Sequence, residues 1–195
     1  MQKLYFCGMV KFNAFEKSID FSFWKEICEK YGKPQQICRG EYFVHSGDVM
    51  KNVGWILSGG FKHSLTASDG SNKTVGFVFA DSILANYESV MLAKKMQTDI
   101  IALEDSDVIV APAKIMRERL LCDPTLHTRF IQALFEQLYE QFLDFYRYTP
   151  EQRFTRLLAR CPLIVNLVPY SEIASYLNIS RRQFQRIRDK LTSKD

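Results

Sequence analysis

Polar and apolar positions change rhythm twice along the chain. Residues 18–33 (SIDFSFWKEICEKYGK) carry Ile19, Phe23, Ile27 and Tyr31 at four-residue intervals before Gly32 and Pro34, a spacing that predicts a helix with its stop signals. From 36 to 112 the rhythm shortens to apolar, β-branched and aromatic runs: Glu41–His45, Gly54–Leu57, Phe61–Thr66, Thr74–Ala80, Asp99–Leu103 and Val108–Pro112. Ser46-Gly47-Asp48, Gly59-Gly60 and Ser68-Asp69-Gly70-Ser71-Asn72 interrupt them. Gly59-Gly60 reads as a β-turn, and the last cluster, between two apolar strands, as a hairpin. Many short strands at this spacing predict a barrel or roll rather than a βαβ sheet.

From Ala113 onward the rhythm is helical. Residues 124–148 predict one long helix in which Ile131, Phe135, Leu138, Phe142 and Phe145 are spaced 4-3-4-3. That heptad seam suits pairing with a second copy of the chain. An amphipathic helix packed on its own β domain would show the same stripe. The length and aromatic content of the stripe, and its place between two dissimilar regions, favour the dimer seam. Thr149-Pro150 breaks this helix, and Glu151–Arg160 starts another.

Residues 170–191, YSEIASYLNISRRQFQRIRDKL, predict a helix-turn-helix. Ile173, Ala174 and Leu177 give a short first helix an apolar face, and Ala174 is small where two helices must approach. Asn178 falls at the turn, where a left-handed backbone is required and Asn is the best residue after glycine. Ile179 points back to the core. Ser180 is an N-cap, with Gln183 completing a capping box. Phe184, Ile187 and Leu191 continue the buried face, leaving Arg181, Arg182, Gln185, Arg186, Arg188 and Lys190 on the others. Arginines near the N-terminal end of such a helix suit the major groove, where a guanidinium bonds guanine O6 and N7 together. A solvated helical hairpin whose arginines aid solubility is the plainer alternative; the coincidence of small residue, turn Asn, cap and basic exposed face favours DNA binding.

Charge sharpens this picture. Residues 147–195 hold 10 of the 26 basic residues but only 4 of the 22 acidic ones, so a basic final quarter follows a near-neutral body. That asymmetry suggests an anionic partner for the C-terminal part. With 47% hydrophobic residues the chain of 195 residues can build a core without disulfides. The five cysteines, at 7, 28, 38, 122 and 161, include no Cys-x-x-Cys pair. They read as ordinary thiols, although Cys7, Cys28 and Cys38 could be imagined around an iron–sulfur cluster. The sequence contains no run of about 18 apolar residues, and MQKLYFCGMVKFNAFEKS lacks a signal-peptide core, so a cytoplasmic protein without membrane spans is expected. No nucleophile-elbow, zinc-protease, phosphate-loop or dinucleotide motif occurs, and no enzyme is expected.

These residues resemble the Crp/Fnr superfamily of bacterial transcription regulators. His45-Ser46-Gly47-Asp48 and Trp55-Ile56-Leu57-Ser58-Gly59 are similar to the family's H-x-G-D/E and aromatic-I-V-x-x-G pattern, at a matching separation. Glu172-Ile173-Ala174 and Ser180-Arg181-Arg182-Gln183-Phe184-Gln185-Arg186 resemble its helix-turn-helix. The resemblance covers about residues 20–191 and implies an α+β chain in three parts. These are a β-roll sensor of cyclic-nucleotide-binding type with flanking helices (1–123), a dimerisation helix (124–148) and a helix-turn-helix domain (149–195). It further implies a homodimer on a near-palindromic operator, with Tyr170, Ser171, Ser180, Arg181, Arg182, Gln183, Gln185, Arg186 and Lys190 at double-stranded DNA, and RNA polymerase as a partner.

Three departures qualify it. The cassette F-x-G-E-L, followed later by R-S or R-T, reads here Phe79-Ala80-Asp81-Ser82-Ile83, with Met96-Gln97 at the arginine position. A cyclic phosphate would lose its bidentate partner and meet Asp81, so cyclic AMP is not the expected effector. Phe79, Ala80, Asp81, Ser82, Met96 and Gln97 mark the place for another, unidentified small molecule, and no cofactor is implied. The cysteines do not fit the oxygen-sensing branch, and lone His63 and His127 do not mark haem. The chain also ends soon after the recognition helix, so a full β-hairpin wing is not expected. That shortening supports a rival reading, a ligand-sensing or protein-interaction module that no longer binds DNA. The retained Ser180, Arg181, Arg182 and Arg186 argue against it. A sugar- or metal-binding barrel enzyme would need clustered ligands, and only His45 and His63 lie in the strand-rich region.

Overall fold

The computed structural model describes residues 12–13 and 21–192. Helix α1 (Ser22–Tyr31) opens the continuous part. Its buried face is Trp24, Ile27 and Cys28, whereas Tyr31 is exposed. Strict four-residue steps drift around a helix of 3.6 residues per turn, so the predicted stripe slides off the core while the i, i+3, i+4 set stays on it. Ile19 lies outside the described residues.

Eight strands follow: β1 (Lys33–Ile37), β2 (Tyr42–Val44), β3 (Asn52–Ser58), β4 (Gly60–Thr66), β5 (Asn72–Phe79), β6 (Ile83–Leu84), β7 (Asp99–Ala102) and β8 (Ser106–Pro112). They form two antiparallel four-stranded sheets, ordered β1-β8-β3-β6 and β2-β7-β4-β5. Phe61, Leu84, Met96, Ile100 and Val108 fill the core they share. The β4–β5 hairpin is closed as the sequence suggests. Asp69 accepts from the Ser71 N–H and hydroxyl at 2.9 and 2.6 Å, and Gly70 takes φ +80°. Those two donors also hold the Asp69 carboxyl below its usual range.

Gly59 does something other than close a β-turn. It carries the chain from β3 in one sheet to β4 in the other, at φ +87°. A Cβ there would lie 2.2 Å from the Ser106 hydroxyl oxygen, which accepts from the Gly60 N–H. Only glycine fits such a crossing.

The short helix α2 (Tyr87–Leu92) lies between β6 and β7. Helices α3 (Ala113–Cys122) and α4 (Pro124–Arg147) leave the roll. Asp123 caps α4 by accepting from the Leu126 N–H, with Pro124 in the first turn. The N-terminal part of α4 packs inward through Phe130, whose ring is 5.9 Å from Trp24. Then come α5 (Pro150–Arg160), α6 (Ile164–Leu167), α7 (Tyr170–Tyr176) and α8 (Arg181–Thr192). Thr149 and Gln152 form a reciprocal capping box at α5.

A second core joins these helices through Phe154, Leu157, Ile164, Ile173, Leu177 and Phe184, and it includes Phe77 and Phe79 of β5. Strand β5 is therefore covered on both faces, with Val78 in the roll and its two neighbours outside it. The boundary expected at residue 123 is crossed by this packing.

Candidate nucleic-acid interface and effector region

Helices α7 and α8 meet across a turn at Leu177–Ser180. Asn178 takes φ +53°, the left-handed conformation foreseen for it. Ile173, Ala174, Leu177 and Phe184 are buried, and Ile179, Ile187 and Leu191 pack against them. The Ser180 hydroxyl accepts from the Gln183 N–H at 3.2 Å and caps α8. The N-terminal half of α8 is thus held by one cap and one buried ring, Phe184, which lies 4.9 Å edge-on from Phe154.

The expected DNA-facing residues divide into two groups. Ser171, Ser180, Arg181, Arg182, Gln183 and Arg186 are exposed. Among the described residues, no ion pair is formed by Arg181, Arg182 or Arg186. The others are engaged within the chain. Lys190 pairs with Glu151 at 2.7 Å, and Gln185 donates to Asp189 at 2.9 Å. Tyr170 is half-buried, 5.7 Å from Phe184, with the Arg188 guanidinium 4.8 Å above its ring. Hydrogen bonds from Arg188 to Asp189 and Tyr170 raise the arginine's already high pKa.

Along α4 the seam residues Ile131, Phe135, Leu138, Phe142 and Phe145 are all exposed, Phe135 at 65%. Tyr139 and Tyr146 extend the stripe, stacked or tilted on Phe135 and Phe142 at 5.7 and 5.1 Å. Beyond it, Arg153 braces the junction of α4 and α5. It donates to the carbonyls of Tyr148 and Leu177, each at 2.9 Å, while burial lowers its pKa.

The six candidate effector residues do not form one wall. Phe79 faces the second core, outside the roll. Ala80 packs on the roll core, Ser82 is buried, and Asp81 is exposed at φ +60°. The His45–Asp48 turn holds Met96 by its backbone: Gly47 N–H donates to its carbonyl at 2.8 Å, and its own N–H donates to Asp48 at 2.7 Å. Its side chain is 1% exposed, and Gln97 is exposed. The Met96 thioether thus lies in the core of the roll.

Burial pushes His63 down to about 4, and His127 shares a 2.9 Å hydrogen bond with Tyr87. Burial raises the Cys28 thiol to about 11, unsuited to metal ligation, while Cys38 is exposed and Cys7 lies outside the described residues. No metal-binding group of His, Cys, Asp or Glu occurs among the described residues. Nor is any described helix long and apolar enough to cross a membrane.

The cyclic nucleotide-binding domain family model matches residues 34–121. The structure of FixK2 from Bradyrhizobium japonicum superposes with a TM-score of 0.70 at 12% identity, covering 84% of this chain and 85% of that one. The likeness is one of fold. The c-di-GMP responsive global regulator CLP of Xanthomonas campestris gives 0.64 at 12% identity, covering 90% and 93%. The catabolite activator protein of Thermus thermophilus gives 0.53 at 16%, covering 87% and 83%. No curated protein matches the sequence. That likeness in fold extends over most of the chain, through helices as well as roll.

What sequence reasoning missed is where the roll meets the C-terminal helices. Glu172, noted only as part of a motif, points at β4 and β5. It pairs with Lys62 at 2.8 Å and accepts from the Thr74 hydroxyl, while Thr74 N–H donates to the Ser175 hydroxyl at 2.9 Å. One signal was present: Phe77-Val78-Phe79 is an unbroken apolar run, the mark of a strand covered on both faces.

Proposed function

We propose that the chain is a DNA-binding transcription regulator that works as a homodimer, with residues 149–192 as its reading domain. The observation that carries this is the trio Arg181, Arg182 and Arg186, exposed on one side of a capped helix. The helix is rigidly seated, so its arginines would enter a major groove at small ordering cost. The exposed stripe of α4 is read as the dimer seam, which would place two copies of α8 one helical turn apart on a near-palindromic operator. RNA polymerase is the protein partner that such a role implies.

Cyclic AMP is not proposed as effector. The buried Met96 supports that reading, as does Asp81 where a phosphate would be repelled. The test is anisotropy of a labelled duplex over a salt series. Arg182→Ala or Arg186→Ala should weaken binding by roughly 1–3 kcal/mol if the residue reads a base, or flatten the salt slope by about one unit if it holds a phosphate. Unchanged affinity and slope in both would remove α8 as the reading element.

A further inference from the structure

The seam between β5 and α7 has a polar half and an aromatic half. The polar half is the Lys62–Glu172 pair, half-buried with side chains 19% and 22% exposed, together with the Thr74 and Ser175 bonds. The aromatic half is completed from elsewhere in the sequence. Phe12 is 2% exposed, with its ring edge-on to Phe77 at 5.3 Å and to Tyr176 at 5.4 Å. The Arg160 guanidinium lies 4.6 Å from the ring centroid, over its face. The same guanidinium donates to the Tyr176 hydroxyl at 3.0 Å. Asn13 then donates to the Phe77 carbonyl at 3.4 Å and accepts from Gln137 of α4 at 3.1 Å. Two consecutive residues thus touch β5, α4, α5 and α7 at once.

We infer that Phe12-Asn13 is an intramolecular ligand, a bolt whose insertion sets how firmly the C-terminal helices are held on the roll. The socket it fills takes an aromatic side chain followed by an amide. Each wall comes from a different element, so the socket exists only when roll and helices are together, and its occupant favours that arrangement over any separated one. The cation–π contact and the edge-on rings give the site a preference for an aromatic ring over an equal aliphatic volume. Withdrawing the segment would loosen α7, and α8 with it. That gives the chain a means of changing the presentation of Arg181, Arg182 and Arg186 without a ligand in the roll. The consequence for DNA rests on the function proposed above; the bolt itself does not.

Hydrogen exchange on the full chain tests it, using Phe12→Ala and the milder Asn13→Ala, which removes the bonds to Phe77 and Gln137 without emptying the ring's socket. In Phe12→Ala the amides of Ile173–Leu177 should exchange about tenfold faster or more, while those of β3 and β8 stay unchanged. Asn13→Ala should move the same amides in the same direction, by less. A uniform rise over the whole roll, or no change at α7 in either variant, would overturn the inference. Duplex binding measured in parallel separates the two readings. Selective exchange in a chain that binds no DNA supports the bolt and sinks the DNA reading. Unaltered exchange in a chain that binds DNA does the reverse.

Discussion

Single residues show where local chemistry was readable and where it was not. Asn178 and Ser180 were legible because their roles, a left-handed turn and a cap, depend on neighbours in sequence. Glu172 was not, since its partners Lys62 and Thr74 are about a hundred residues away. Tyr170 and Lys190, which the resemblance places at DNA, each have a partner within the chain. Two predictions belong at this scale. Burial lowers His63 from 6.5 to about 4, so it stays neutral in the fold while its unfolded counterpart takes up a proton. Its contribution to stability is complete above the unfolded value and is lost as pH falls through that window. Urea midpoints should therefore drop between those two values, and His63→Gln should flatten the drop; equal slopes would contradict it. Gly59→Ala should cost at least about 2 kcal/mol in denaturant unfolding, from the left-handed backbone and the Ser106 contact together.

At the scale of elements, periodicity located the long helix within a residue at either end and found six of the eight strands. The two it missed are marginal by nature. Strand β1 includes Pro34 and buries only Ile37, which an edge position pairing with β8 alone permits. Strand β6 has two residues. The N-terminal part of α4 packs on the roll through Phe130, while Phe135 and Phe142 of the heptad stand in water. Phe135→Glu and Phe142→Glu should shift the chain toward monomer in sedimentation velocity, because a carboxylate in an apolar seam must be desolvated. A dimer of undiminished stability in both variants would remove α4 as the seam.

The whole molecule is more tightly joined than a sensor and a reader strung along a helix. Strand β5 belongs to both cores, and the polar and aromatic contacts around Glu172 and Phe12 tie α7 to it. Sequence could announce the three parts, since each has its own rhythm, but not this junction, which brings together residues 12, 62, 77, 160, 172 and 176. On the proposed reading cyclic AMP should leave the melting temperature unchanged, since Met96 is buried in the core and offers a phosphate no cation; a saturable rise would contradict that reading. The central claim, a dimeric reader of DNA, is tested most directly by selecting bound sequences from random duplexes with the purified chain. Enrichment of an inverted repeat with half-sites about one helical turn apart is the expected result. A folded dimer that enriches no sequence even at low salt would contradict it.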